Sequence, residues 1–241
     1  EHVRSSTVRC DAVVLKSFGT YLGQRILKET SPLRDLRIPK MEDTTRRPLH
    51  NEELTRLLAV SKRGENGKRN YAIVGVAAGC GLRLGELAAL RYGDVDFNSD
   101  QLVVRGPTSK SKKTRRVTMH GEVRAALDAY RGEEREGPEH DDAALFLARG
   151  HKPFRVQGLA AVFRMLAQES EIEDLTAHTL RHTWATNFLR AGSGDILDLE
   201  RDGGWDDQQH RMVSRYSHEK PAAERRRAPS PFSVLSLPAN V

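Results

Sequence analysis

The segment from Thr176 to Gly192 holds a dense set of side chains that could bind or move charge. Within it, His178 and Arg181 are three residues apart, so a helix would place them on one face. An imidazole and a guanidinium on one face could act on a phosphate, although a structural ion pair is the more common role of this spacing. A zinc site on His178 and His182 is a further alternative, but it lacks an adjacent glutamate and an obvious third ligand.

Two further stretches place charged or aromatic side chains beside glycine turns. Arg83 follows the run Gly-Cys-Gly-Leu and precedes Glu86 by three residues. Near the other end of the chain, Trp205 follows two glycines and Tyr216 ends an amphipathic stretch. Each feature has an ordinary structural explanation when it is taken alone: an i,i+3 ion pair, a core tryptophan and a half-buried aromatic residue.

Taken together and in this order, the motifs resemble those of the tyrosine recombinase (phage integrase) family. The matching pattern is G-L-R-x-x-E-L, a lysine between two strands, H-x-L-R-H-T, a glycine followed by His or Trp, and R-Y-x-H, over roughly residues 48 to 220. The combined pattern is far more specific than any of its parts. The resemblance implies site-specific cleavage and rejoining of DNA, with double-stranded recombination sites as the partner.

The resemblance also assigns roles to individual residues. The implied catalytic set is Arg83, Lys110, His178, Arg181, Trp205 and Tyr216. Glu86 matches the acidic neighbour that orients the first arginine, and His182 matches a structural position. Lys110 fits the hairpin lysine best, with Lys112 and Lys113 close enough to be alternatives.

These residue types suit phosphodiester exchange without a metal ion, ATP or another cofactor. Two guanidiniums stay charged at any working pH and can stabilise the negative charge that builds up on the nonbridging oxygens. Tyr216 would be the nucleophile, His178 its proton acceptor and Lys110 the donor to the leaving 5′-oxygen, as the resemblance implies. The product would be a 3′-phosphotyrosine that a 5′-hydroxyl can reseal.

The chain departs from the family pattern beside Trp205. Gly203-Gly204 stands where leucine-glycine is usual, and Tyr216 comes eleven positions after Trp205, a longer interval than is common in the family. The identity of Trp205 is therefore a firmer expectation than its pose.

The elements that must position these residues are mostly helices. Apolar spacing and caps predict helices at about 8–28, from 51, and at 68–78, 84–90, 122–131, 156–168, 176–191 and 208–216. Short alternating stretches at 95–97, 102–104 and 117–119 predict three strands. The expected fold is mainly α with a small antiparallel β-sheet, an α+β class, and the resemblance implies the catalytic-domain fold of tyrosine recombinases.

Charge supports a polyanionic partner. The net charge is +6, and residues 105–116 contain six basic residues and no acid. The expected DNA contacts in this stretch are Arg105, Lys112, Lys113, Arg115 and Arg116; a solvated loop is the alternative.

Three segments are expected: residues 1–47 as the last helix of a truncated core-binding domain with a linker, 48–220 as the catalytic domain, and 221–241 as a tail that docks on a neighbouring protomer or folds back.

The expected enzyme is a recombinase that acts as a tetramer on DNA. The alternatives are a type IB topoisomerase and a catalytically silent DNA-binding homologue. No apolar run is long enough to cross a membrane, and two cysteines suit a reducing cytoplasm, where a bacterial or phage protein would associate with the nucleoid.

Overall fold

The computed structural model describes residues 5–40, 47–108 and 113–205. The chain divides into two compact units, Glu1–Arg46 and Arg47–Val241. Several predictions fall outside the described residues: those for Lys110, Lys112 and Tyr216, the helix at 208–216 and the tail at 221–241.

The first unit contains one long helix. Helix α1 spans Ser5–Tyr21 and continues as a π-helical turn over Leu22–Leu27, in agreement with the predicted helix at 8–28. After the helix the chain folds back along it, since Arg9 donates to the carbonyl of Pro39 and Lys16 to that of Leu36.

The second unit is mainly helical, which confirms the predicted class. Among its described residues, the α-helices are α2 Asn51–Ser61, α3 Gly67–Cys80, α4 Leu84–Ala88, α5 Gly121–Glu133, α6 Val156–Ser170, α7 Ala177–Arg190 and α8 Ile196–Gly203. Six of them lie where the apolar spacing predicts them. Helix α8 was not predicted, and it proves important for the site.

Three short strands form the predicted antiparallel sheet in the order β1-β2-β3. They are β1 Val95–Asp96, β2 Gln101–Val104 and β3 Arg115–Thr118. In the register of β2 and β3, Val104 pairs with Arg115 and Leu102 with Val117. All four of these side chains are buried on one face, as the two-residue period of a strand requires. A second ribbon, β4 Leu147–Ala148 with β5 Lys152–Pro153, was not predicted.

The core is built around α3, which packs against α2, α5 and α7. A smaller apolar cluster contains Trp184, Phe188 and Leu199, and joins α7 to α8. Gly81 ends α3 with φ at 64°, and a Cβ there would lie 2.1 Å from the Trp184 ring. Only glycine fits both the left-handed backbone and this close approach. In the part of the chain that the structure describes, none of the helices has the length and apolar character needed to span a membrane.

Candidate active site

Arg83 occupies the N-cap position of the short helix α4, directly after the turn at Gly81. Its backbone N–H donates to Glu86 Oε2 at 2.9 Å, and its Nη1 donates to Glu86 Oε1 at 3.0 Å. The Glu86 side chain is 1% exposed, whereas that of Arg83 is 23% exposed. Glu86 therefore holds Arg83 through both backbone and side chain, while the guanidinium stays partly accessible.

The Glu86 carboxylate has a second partner, Arg115 at the start of β3. Arg115 donates Nη1 to Oε1 at 3.0 Å and Nη2 to Oε2 at 2.8 Å, and its side chain is 5% exposed. Burial acts to raise the pKa of Glu86, but the hydrogen bonds and charge of Arg115 and the contacts from Arg83 outweigh it, so the pKa lies below its ordinary value. Arg115, predicted from the basic segment to contact DNA, thus lies buried beside Glu86 rather than on the open surface.

Arg181 lies one turn after His178 on α7. Thr176 caps the start of this helix by accepting the backbone N–H of Thr179. Arg181 is only 3% exposed, whereas His178 is exposed, so burial distinguishes the two residues that sequence spacing places together. The Arg181 guanidinium donates to the carbonyl of Gly81 and, at 2.6 Å, to that of Gly203.

Both predicted catalytic arginines meet at the C-terminal end of α8. Arg181 donates to the carbonyl of Gly203, and Arg83 to that of Gly204 at 3.2 Å. Arg115 donates to the preceding carbonyl, that of Asp202, at 2.8 Å. The last carbonyls of a helix lack intrahelical partners and carry partial negative charge, so they suit three guanidiniums.

Trp205 follows this helix end directly. Its ring lies 4.1 Å from the Arg181 guanidinium carbon and stacks on Trp184 at 6.1 Å between centroids. Gly203 lies against the indole, where a Cβ would approach the ring to 1.9 Å, and Gly204 caps the helix with φ at 62°. The two glycines therefore allow Trp205 to fold back over its own helix beside Arg181.

Helix α8 was missed because its sequence is short and charged, yet two signals for it were present. The Asp195 side chain caps the helix by accepting hydrogen bonds from the backbone N–H groups of Leu197 and Asp198. In return, the Asp198 side chain accepts a hydrogen bond from the backbone N–H of Asp195. This reciprocal capping pattern, followed by a glycine at the far end, is typical of a helix. The burial of Arg115 could likewise be read from its two-residue spacing to Val117 and Met119, which are buried.

The other predicted DNA contacts lie on a more open surface. Arg116 is exposed and donates to Gln101 at 3.3 Å, and Lys113 is exposed at the end of the basic segment. Arg105 has a 37% exposed side chain and pairs with Asp94 at 2.5 Å.

His182 is half-buried on α7, one turn after His178. Among the described residues, no group of three or more His, Cys, Asp or Glu side chains lies close enough to hold a metal ion.

Known proteins are similar to most of this chain. The profile of the phage integrase family matches residues 47–223. The tyrosine recombinase XerC of Herpetosiphon aurantiacus is 32% identical over 203 residues, which cover 81% of this chain and 64% of that protein. XerC of Roseiflexus castenholzii is 30% identical, over 78% of this chain and 61% of the relative. The chain thus spans less than two thirds of the length of these relatives.

Solved structures are similar in fold. The crystal structure of XerA recombinase has a TM-score of 0.61 and 28% identity, and the match covers 89% of this chain and 72% of that one. The integrase of transposon Tn1549, solved in complex with a circular intermediate DNA, has a TM-score of 0.69 and 21% identity over 89% of this chain and 75% of that one. The fold is that of tyrosine recombinase catalytic domains.

Proposed function

Since the chain belongs to the phage integrase family, we propose that it is a site-specific recombinase that cleaves and rejoins DNA through a covalent bond to Tyr216. One observation carries the proposal. Arg83 and Arg181, from different helices, donate to the adjacent carbonyls of Gly204 and Gly203, next to Trp205. Two cations held side by side can bind one phosphate.

The arginines would stabilise the scissile phosphate as its negative charge grows. A guanidinium has more N–H donors than the two contacts that Arg83 makes among the described residues. Its 23% exposed side chain allows further donors to reach a phosphate oxygen. Fixed donors need not reorganise during the reaction, so they favour the transition state over the ground state.

The proposed reaction has two balanced steps. The Tyr216 oxygen attacks phosphorus, His178 accepts the phenolic proton, and the bond from phosphorus to the 5′-oxygen breaks as Lys110 protonates that oxygen. A 5′-hydroxyl then attacks the phosphotyrosine and gives its proton to Lys110, while the bond from phosphorus to the Tyr216 oxygen breaks and His178 returns its proton to form the phenol. Because one ester is exchanged for another, no ATP is needed, and the two arginines supply the charge stabilisation that a metal ion would otherwise provide.

Trp205 would complete the site by donating its indole N–H to a nonbridging oxygen, since indole can only donate. We further propose that DNA lies across the surface that carries Arg105, Lys113 and Arg116, and that four copies assemble on two sites to exchange strands. The protein would then act where the chromosomal or phage DNA is, at the nucleoid.

Covalent trapping tests the chemistry. A pool of nicked duplexes with randomised arms is incubated with the protein in EDTA, and adducts that survive SDS are isolated and sequenced. Cleavage beside the nick releases a short strand, so the adduct cannot reseal and accumulates. We expect an adduct whose nucleotide maps by mass spectrometry to the peptide containing Tyr216, and none with Tyr216→Phe.

The outcomes separate the alternatives. An adduct that persists in Tyr216→Phe contradicts the proposed nucleophile. Adducts without sequence enrichment, together with relaxation of supercoiled plasmid, would instead indicate a topoisomerase. Specific binding without any adduct would indicate a silent DNA-binding homologue.

A further inference from the structure

Arg115 connects three parts of the site that lie far apart in the sequence. It starts β3, it binds the carboxylate of Glu86 in α4 through two hydrogen bonds, and its Nε donates to the carbonyl of Asp202 near the end of α8. Glu86 and the end of α8 also contact Arg83. Glu86 binds Arg83 directly, and the carbonyl of Gly204 accepts from Arg83 two residues after Asp202.

The shared carboxylate distributes its two oxygens between the two arginines. Oε1 accepts Nη1 of both Arg115 and Arg83, whereas Oε2 accepts Nη2 of Arg115 and the backbone N–H of Arg83. With four donors around it, the carboxylate cannot rotate without breaking a charge-assisted bond. Its orientation, and through it that of the Arg83 side chain, therefore depends on Arg115.

The Arg115 side chain is enclosed within the protein, and all three nitrogens of its guanidinium donate to protein oxygens. The side chains of Arg115 and Glu86 are 5% and 1% exposed, and a Cβ on Gly204 would lie 2.9 Å from Arg115 Nη1. Arg115 is thus enclosed by the helix end that carries Trp205. A planar guanidinium can bond two carboxylate oxygens and a carbonyl at once, whereas the ammonium of lysine is a single point charge on a flexible stem.

We propose that Arg115 is a positioning residue that sets Arg83 and the turn at Gly203–Trp205 in register for the scissile phosphate. The inference rests on the proposed function, because it assigns Arg115 a part in DNA cleavage that acts through Arg83. It replaces the DNA contact that the basic sequence suggested for this residue.

Single-turnover cleavage of a nicked duplex recovered from the pool tests the inference. Arg115→Lys keeps the charge but not the planar fork, so we expect cleavage about 10- to 100-fold slower, as for a small misplacement of a catalytic group. The dissociation constant for the same duplex, measured by fluorescence anisotropy, should change by no more than about twofold, because the Arg115 guanidinium is bound to Glu86 and to the carbonyl of Asp202 rather than to a phosphate. The matched control is Arg124→Lys, which alters a surface arginine paired with Asp100 at 3.0 Å and should cleave at the wild-type rate.

Introducing Arg115→Lys into the Arg83→Lys variant distinguishes a positioning role of Arg115 from a general loss of structure. If Arg115 acts through Arg83, Arg115→Lys should slow cleavage by no more than about twofold when Arg83 is already lysine, since coupled residues are not additive. An equal fold-loss in the Arg83→Lys background and in the wild type would overturn the inference, as would an unchanged cleavage rate in Arg115→Lys alone.

If Arg115→Lys does not fold, Arg115→Gln takes its place, since it leaves the Glu86 carboxylate intact and removes the planar fork. Cleavage by folded Arg115→Gln that is slower by about tenfold or more supports the inference, and cleavage at the wild-type rate overturns it. The two levels of proposal fail differently. Absence of any adduct with the wild-type protein rejects the proposed function, whereas a normal wild-type adduct with no effect at Arg115 rejects the positioning role alone.

Discussion

The two faces of the β1–β2–β3 sheet place neighbouring arginines in opposite environments. Arg115 and Arg116 are consecutive in β3, yet Arg115 is buried against Glu86 and the end of α8 while Arg116 is exposed beside Gln101. The inner face leads to Arg83 and Arg181, whose guanidiniums are fixed by carbonyls and a carboxylate. On the outer face, the Arg116 side chain is exposed to solvent.

The difference teaches that a basic sequence can serve two purposes at once. On the inner face each guanidinium is immobilised, so it can stabilise the transition state from a position that is fixed before the substrate binds. On the outer face the charge is solvated and screened by salt, so it contributes to affinity by attracting a polyanion to the surface. Replacing charges should therefore change the reaction rate on one face and the affinity on the other.

The largest effect is expected for Arg181→Lys. Lysine cannot span the carbonyls of Gly81 and Gly203 with a planar fork and also reach a phosphate, so cleavage should slow by about 100- to 1000-fold, as for loss of a transition-state donor. Single-turnover cleavage of the captured duplex measures this effect. Arg190→Lys, at the exposed end of the same helix, is the matched control. If Arg190→Lys slowed cleavage as much as Arg181→Lys, buried and exposed arginines would not differ in their effect on the reaction rate.

Glu86→Gln should have the next largest effect, on stability. It leaves two arginines facing a neutral amide, so we expect the free energy of unfolding to fall by about 2–3 kcal/mol at neutral pH. The pKa of Glu86 is lowered in the folded state, so its contribution is complete above the ordinary value of 4.5 and is lost as the pH falls through the lowered pKa. Urea unfolding at several pH values should show the gap between wild type and variant closing below pH 4.5. A gap that stays constant down to the acid limit would show that the charge of Glu86 is not responsible.

The smallest effect is expected on the outer face. Arg116→Ala should weaken DNA binding only a few-fold and reduce the slope of log affinity against log salt by about 1, as for loss of one phosphate contact. Because the side chain is exposed, the free energy of unfolding should change by less than about 0.5 kcal/mol. Anisotropy titrations at several salt concentrations measure the slope, with Arg124→Ala as the matched surface control. An unchanged slope would place Arg116 away from the DNA.

Much of the fold follows from local pattern. The apolar spacing of Leu180, Trp184 and Phe188 predicts a buried face of α7, and these residues are 0%, 2% and 6% exposed. The antiparallel strands follow equally well, because two-residue alternation and a short turn are local signals. Helix α8 does not follow from apolar spacing, since its stability depends on Leu199 packing against Trp184 and Phe188.

The sequence by itself predicted which residues carry the proposed chemistry, because a family resemblance depends on the order of motifs along the chain. The motifs contain Arg83, His178, Arg181, Trp205 and Tyr216. Only the tertiary structure decided which basic residues are fixed and which are solvated. Burial, shared hydrogen bonds and the free carbonyls of a helix end arise when distant segments pack together. Arg115 shows the consequence: its charge is written in the sequence, but its role depends on Glu86 and Asp202, which the fold brings beside it.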